Sequence, residues 1–134
     1  MKFDTNIKSC FVAGHKGMVG SSIIRLLVKK HPLIRVLTSN KSDLNLINQS
    51  QVNAFINKKK PDLVIIAAAK VGGIYKNLTY PAEFLYENLM IQNNIIHACY
   101  NNNIPKVLFL GSSCIYPRNS TQPIKECDLL TGSL

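Results

Sequence analysis

Residues 9–30 read SCFVAGHKGMVGSSIIRLLVKK, and their order decides the fold. Residues 9–14 form a compact, mostly apolar run that breaks into glycine, and residues 17–30 carry apolar side chains at helical spacing. Between them stands Gly14-His15-Lys16-Gly17-Met18-Val19-Gly20, a GxxGxxG placed directly between an expected strand and an expected helix. Glycine at such a turn lets the backbone approach a pyrophosphate, whose charge the free N–H groups of the helix N-terminus stabilise. The bland alternative is a glycine-rich turn with no ligand. The strand and helix on either side favour nucleotide binding.

The same alternation continues outward. LIRVLT at 33–38 reads as a second strand, and residues 50–59 as a second helix with Val52, Phe55 and Ile56 on one face. DLVIIAAA at 62–69 is apolar throughout, which implies burial on both faces of a parallel sheet. Pro81 suits the first turn of a long helix reaching to about Asn103, one side of which is marked by Leu85, Leu89, Asn93 and Ile96. KVLFLGS at 106–112 is a fourth strand, and residues 116–134 look like loop. The order βαβαβαβ predicts right-handed parallel crossovers and an α/β, doubly wound parallel sheet of the Rossmann type. Four strands make only part of such a sheet, so the chain is expected to stop with the fold unfinished.

Composition bounds the function. The 134 residues are 46% hydrophobic and 17% charged, enough apolar surface for one globular domain and too little length for a two-domain enzyme. Sixteen Lys and Arg against seven Asp and Glu leave a net charge of +9, which raises nucleic acid or an anionic membrane as partners. The only basic run, Lys58-Lys59-Lys60, sits at a helix end where it complements the dipole, and no aromatic stacking platform accompanies it. No apolar stretch is long enough to span a bilayer, and residues 1–8 lack a signal-peptide core, so the expectation is a cytoplasmic protein that binds neither membrane nor nucleic acid. Cys10, Cys99, Cys114 and Cys127 show no metal-site or disulfide spacing, so no metal is expected.

Three further stretches carry chemistry. After the second strand, where an NAD-binding protein usually places an acid for the ribose hydroxyls, TSNKSD at 38–43 meets a positive charge first. Lys41 and Lys16 could pair with a 2′-phosphate, favouring NADP over NAD, unless they are ordinary surface lysines. AAAKVGGI at 67–74 ends the third strand in small residues, leaving room for a cofactor or, alternatively, allowing tight helix packing. GSSCIYP at 111–117 follows the fourth strand, where a serine hydroxyl can hold a carbonyl oxygen and a cysteine can move protons; an ST-rich turn beside a buried thiol reads equally well. His15, His31 and His97 receive no catalytic role.

Taken together, GHKGMVG at 14–20, SDLNL at 42–46, AAAKVGGI at 67–74, TYPAEFLYENLMIQNNIIHA at 79–98 and LGSSCIYP at 110–117 closely resemble the GDP-L-fucose synthase family of extended short-chain dehydrogenase/reductases. The likeness runs from about Ser9 to Leu134 and implies conversion of GDP-4-keto-6-deoxy-D-mannose to GDP-L-fucose. Such enzymes epimerise C3 and C5 and then reduce the C4 ketone with NADPH. The resemblance places Gly14, Lys16, Gly17, Met18, Val19, Lys41, Asp43, Leu44 and Leu110 at cofactor positions. His15, Gly20, Ser42, Gly111 and Ser113, which flank them in the same stretches, are expected to bind the cofactor with them. It makes Ser112 the serine of a Ser-Tyr-Lys set and Cys114 the proton-moving cysteine of epimerisation. It also implies a GDP-sugar substrate and a homodimer of the complete enzyme, with the helix from Pro81 in the interface.

Departures accompany the matches. No tyrosine is followed four residues later by lysine, since those positions after Tyr75, Tyr80, Tyr86, Tyr100 and Tyr116 hold Thr79, Phe84, Met90, Ile104 and Ser120. In the family this motif lies shortly beyond the position of Leu134, so the resemblance implies the N-terminal portion of a reductase, residues 1–134 being an incomplete NADP-binding domain without its substrate domain. Lysine stands at 16 and 41 where many relatives carry arginine, keeping the charge but losing the bidentate fork. The competing expectation is a short, non-catalytic protein that binds a dinucleotide or assembles with a second chain.

Overall fold

Alternate residues of one strand leave a sheet on opposite faces, and two clusters of buried side chains show what each face meets. The computed structural model describes residues 6–133. The N-terminal stretch read for a targeting signal therefore lies partly outside the described residues, as does Leu134. Strand β1 (Ser9–Ala13) leads through the glycine turn into α1 (Met18–Lys30), followed by β2 (Arg35–Leu37), α2 (Gln49–Lys59) and β3 (Leu63–Ile66). Then come α3 (Ile74–Thr79), α4 (Pro81–Asn101) and β4 (Lys106–Phe109).

All strand pairs are parallel, in the order β2-β1-β3-β4. Cys10, Val12, Leu63 and Ile65 pack with Leu27, Ile23 and Ile24 of α1 on one face. Phe11, Ala13, Val64 and Ile66 pack with Val52 and Ile56 of α2 and with Ile91, Ile95 and Ala98 of α4 on the other. Helices on both faces of a parallel sheet make this the doubly wound, Rossmann-type fold the alternation predicts. Each fully buried Val, Ile or Phe contributes about 1.5–3 kcal/mol, so β1 and β3, buried from end to end, carry most of the sheet's stability.

The strand ends are shorter than the apolar runs suggest. β3 stops at Ile66 because Ala67 and Ala68 turn away after one more ladder bond, from the Ala67 N–H to the Ala13 carbonyl at 3.0 Å. α3 is an element that periodicity missed, since its six residues are too few to display a repeat. Residues after β4 include two short 3-10 turns, Ser113–Ile115 and Glu126–Asp128.

The largest difference concerns α4. Its buried side is Phe84, Ile91, Asn94, Ile95, Ala98 and Cys99, whereas Leu85, Leu89 and Ile96, on the side marked in the sequence, stand in solvent. The helix is apolar on two sides, and only packing reveals which one faces the sheet. β4 is similarly bare: by its register Leu108 lies level with Ile65 and Phe109 with Ile66, yet both are 48% exposed.

Candidate functional site

The turn after β1 is built by backbone touching backbone. Gly14 has φ +85°, in the left-handed region, and a Cβ there would lie 2.6 Å from the Ala67 carbonyl oxygen. Gly20, buried in the first turn of α1, faces the same constraint: its Cβ would meet the Gly14 oxygen at 2.2 Å. Gly17 is different. It is exposed, its backbone is ordinary, and a Cβ would approach the Gly14 oxygen only to 3.3 Å. Thus Gly14 and Gly20 close the turn, while Gly17 keeps clear the space outside it.

That space lies over an open helix end. Gly17 caps α1 without any side-chain hydrogen bond, and the first turn contains no acid. The leading N–H groups of a helix have no partner within it, and the dipole adds positive potential. An anion is the complementary ligand. Sheet topology places the turn where such a ligand has room: the chain leaves β1 for β2 on one side and returns to β3 on the other, so strand order reverses between β1 and β3. Crevices at the carboxyl ends of strands open at such reversals.

The loop after β2 reaches the same edge. The Asn40 carbonyl accepts hydrogen bonds from the N–H groups of Asp43 (3.1 Å) and Leu44 (2.9 Å), folding residues 40–44 into a tight turn. Lys41 and Lys16 are exposed, and neither forms an ion pair among the described residues. The Ser42 hydroxyl donates to Asp43 Oδ1 at 3.1 Å. Leu44 is 4% exposed and belongs to the core, so its side chain anchors the loop and offers nothing to a ligand.

β4 delivers the remaining positions. The Leu110 N–H extends the ladder to the Ile66 carbonyl at 3.2 Å, and Ser112 then caps the short turn, its Oγ accepting the Cys114 N–H at 3.2 Å. Ser112 and Cys114 are both exposed. Cys10 and Cys99 are buried, and burial pushes each thiol up to about 11, which leaves them inert at neutral pH. Among the described residues no cluster of His, Cys, Asp and Glu could hold a metal ion.

A family model described as "NAD dependent epimerase/dehydratase family" matches residues 10–134. The chain belongs to that family. It is 51% identical over 124 residues to GDP-L-fucose synthase 1 of Arabidopsis thaliana and, over the same length, 51% identical to GDP-L-fucose synthase of Escherichia coli K12. Each match covers 92% of this chain and 38% of the relative, so the chain spans well under half the length of these proteins. Among solved structures it superposes with TM-score 0.86 on a GDP-D-glycero-L-gluco-heptose synthase from Campylobacter jejuni, in the presence of NADPH. That pair is 36% identical over 98% of this chain and 38% of the other.

For this member of the epimerase/dehydratase family, the structure adds residues the sequence did not single out. The Asn88 side chain of α4 accepts the Lys70 N–H (2.7 Å) and donates to the Lys70 carbonyl (3.1 Å), while Lys70 Nζ is paired with Glu87. Farther along α4, Asn94 Nδ2 donates to the carbonyls of Leu46 (3.0 Å) and Ile47 (2.8 Å). Asn94 left a trace in the sequence as a polar residue between Ile91 and Ile95 on an apolar side. Asn88 left none, because it is only half-buried, at the margin of the helix where a polar residue is ordinary.

Proposed function

We propose that this chain is the NADP(H)-binding portion of a GDP-L-fucose synthase, which converts GDP-4-keto-6-deoxy-D-mannose to GDP-L-fucose by epimerisation at C3 and C5 and reduction at C4. The observation that carries the reading is the convergence of the glycine turn, the Lys41 loop and the Ser112–Cys114 turn on one carboxyl edge of the sheet. Identity of 51% to fucose synthases supports the choice of substrate.

The cradle fits a dinucleotide: Gly14 and Gly20 hold the turn closed, and the uncapped start of α1 offers N–H groups for the pyrophosphate, Gly17 leaving the approach clear. Gly14, His15, Lys16, Gly17, Met18, Val19 and Gly20 form this wall, Lys41, Ser42, Asp43 and the backbone of Leu44 the second, and Leu110, Gly111 and Ser113 the third. Lys16 and Lys41 supply positive charge for the 2′-phosphate. When bound, NADPH supplies the hydride. Ser112 holds the C4 carbonyl oxygen by donating its hydroxyl proton into a hydrogen bond, while a lone pair of the same oxygen keeps the Cys114 N–H it accepts in the structure. Cys114 moves protons at C3 and C5 from its exposed position on the same turn. The tyrosine and lysine that complete the set in such reductases are not in this sequence, so the proton donor for C4 belongs to another segment.

The wider reading is a cytoplasmic homodimer acting on a GDP-sugar, with the positive charge serving nucleotide phosphates rather than nucleic acid. The exposed Leu85, Leu89, Ile96 and Tyr100 of α4 support a second copy there. No described helix is long and apolar enough to cross a membrane.

A chimera tests the assignment. Residues 1–134 replace the matching segment of the E. coli enzyme, and GDP-L-fucose formation is assayed. Activity that disappears with Ser112→Ala is the expected result. A folded chimera that binds NADPH but makes no GDP-L-fucose would sink the substrate assignment.

A further inference from the structure

Two loops flank the glycine turn, one after β2 and one after β3, and a single helix holds both. Asn88 presents a donor and an acceptor to the backbone of Lys70, as a neighbouring strand would. The same loop is moored twice more: Lys70 Nζ is paired with Glu87, and Gly72 lies so close to the Phe84 ring that a Cβ would stand 2.8 Å from it. Residues 67–68 of this loop are the backbone on which Gly14 rests. A continuous chain of contacts therefore runs from α4 through Lys70 and Ala67 to the glycine turn. Asn94, 3% exposed, ties the other loop by bonding both the Leu46 and Ile47 carbonyls, just beyond Lys41, Ser42 and Asp43.

We infer that α4 is the clasp of the dinucleotide cleft, with Asn88 and Asn94 as positioning residues for its two sides. Neither touches the cofactor. Asn88 sets the height of the loop beside the glycine turn, which contacts any dinucleotide, so its loss weakens NADPH and NADH alike. Asn94 fixes the loop that carries Lys41, so its loss falls on the 2′-phosphate and lowers the preference for NADPH. A hydrogen-bond deletion that leaves backbone groups unpaired is worth about tenfold in an equilibrium. The inference rests on the dinucleotide reading above.

The test titrates NADPH and NADH into this chain and into Asn88→Ser, Asn94→Ala and Asn94→Gln, with a thermal melt of each. Asn88→Ser should weaken both cofactors by a similar factor of about ten, whereas the Asn94 variants should lower the NADPH-to-NADH affinity ratio by about ten. A general loss of stability would not move that ratio. If the parent binds neither cofactor, the dinucleotide reading fails and the clasp with it. If the parent binds and the folded variants match it in affinity and ratio, only the clasp is overturned. If neither Asn94 variant folds, Asn94 is a core residue and its half of the inference is wrong.

Discussion

The turn after β1 and the turn after β4 sit on the same edge of one sheet, yet they are built differently. The first rises from a strand without exposed residues and is locked by two glycines whose missing side chains are filled by neighbouring backbone. The second follows a strand exposed along its length, and its Ser112 and Cys114 face solvent. Binding a dinucleotide needs rigid N–H groups at one place, which a β-turn-α unit supplies by itself. Catalysis on a sugar needs groups placed on several sides of the reacting carbons, which one turn at a sheet edge cannot provide.

The sharpest way to break this comparison is to ask the chain for turnover. Without a tyrosine–lysine pair it should not oxidise NADPH in the presence of GDP-4-keto-6-deoxymannose, since loss of the general acid alone costs about 10² to 10⁴ in rate. Steady, substrate-dependent oxidation that Ser112→Ala abolishes would mean that the β4 turn is a complete active site.

Next in size are the glycines. Gly14→Ala and Gly20→Ala should each lower stability, the former by about 1–3 kcal/mol for its backbone conformation alone, with a further cost for the contact with Ala67. Gly17→Val should melt much closer to the parent than Gly14→Ala or Gly20→Ala while losing dinucleotide binding, because the Gly14 oxygen, 3.3 Å from the added Cβ, has to give by only a few tenths of an ångström and the rest of the side chain enters the ligand's space. Chemical denaturation paired with cofactor titration separates the two. A Gly17→Val chain that binds normally would make the motif an ordinary turn.

A smaller effect sharpens the cofactor assignment. NADPH should bind more tightly than NADH, and Lys16→Ala or Lys41→Ala should each reduce that preference by less than about tenfold, because exposed charges are screened by salt. Calorimetry with both cofactors at two salt concentrations is the check. Equal affinities in the parent would remove the 2′-phosphate from the reading.

The smallest predicted effect lies at the opposite edge of the sheet. Asp62 accepts hydrogen bonds from the Ser9 hydroxyl (2.9 Å) and from the N–H groups of Ser9 (2.8 Å) and Lys8 (3.0 Å), and these, led by the hydroxyl, hold its carboxyl below the usual range. A depressed folded-state pKa adds stability that is present above the unfolded value of about 4 and disappears as pH falls through the folded one. Urea midpoints between neutral and strongly acidic pH should therefore decline less steeply for Asp62→Asn than for the parent. Parallel declines would show that the cluster contributes nothing.

How far the sequence could be read depends on whether its signal was local. The β1 turn was legible because Gly20 presses on Gly14 within the same short stretch, whereas the Ala67–Ala68 backbone on which Gly14 rests left no local sign. The strands were legible because burial on both faces demands unbroken apolar runs, as in β3. α3 was not, since six residues hold less than two helical turns.

The linear order of residues determined by itself the alternation of strands and helices, the glycine turn between β1 and α1, and the absence of a Tyr-x-x-x-Lys pair, because each depends on neighbours in the chain. Tertiary structure alone decided which side of α4 meets the sheet, that Leu44 serves the core, and that Asn88 and Asn94 tie two distant loops to one helix. A side chain that bonds backbone recognises groups every residue carries, so no pattern of residue types records its partner. An apolar helix face is equally mute about its partner, because hydrophobic burial has no direction until the sheet is there to receive it.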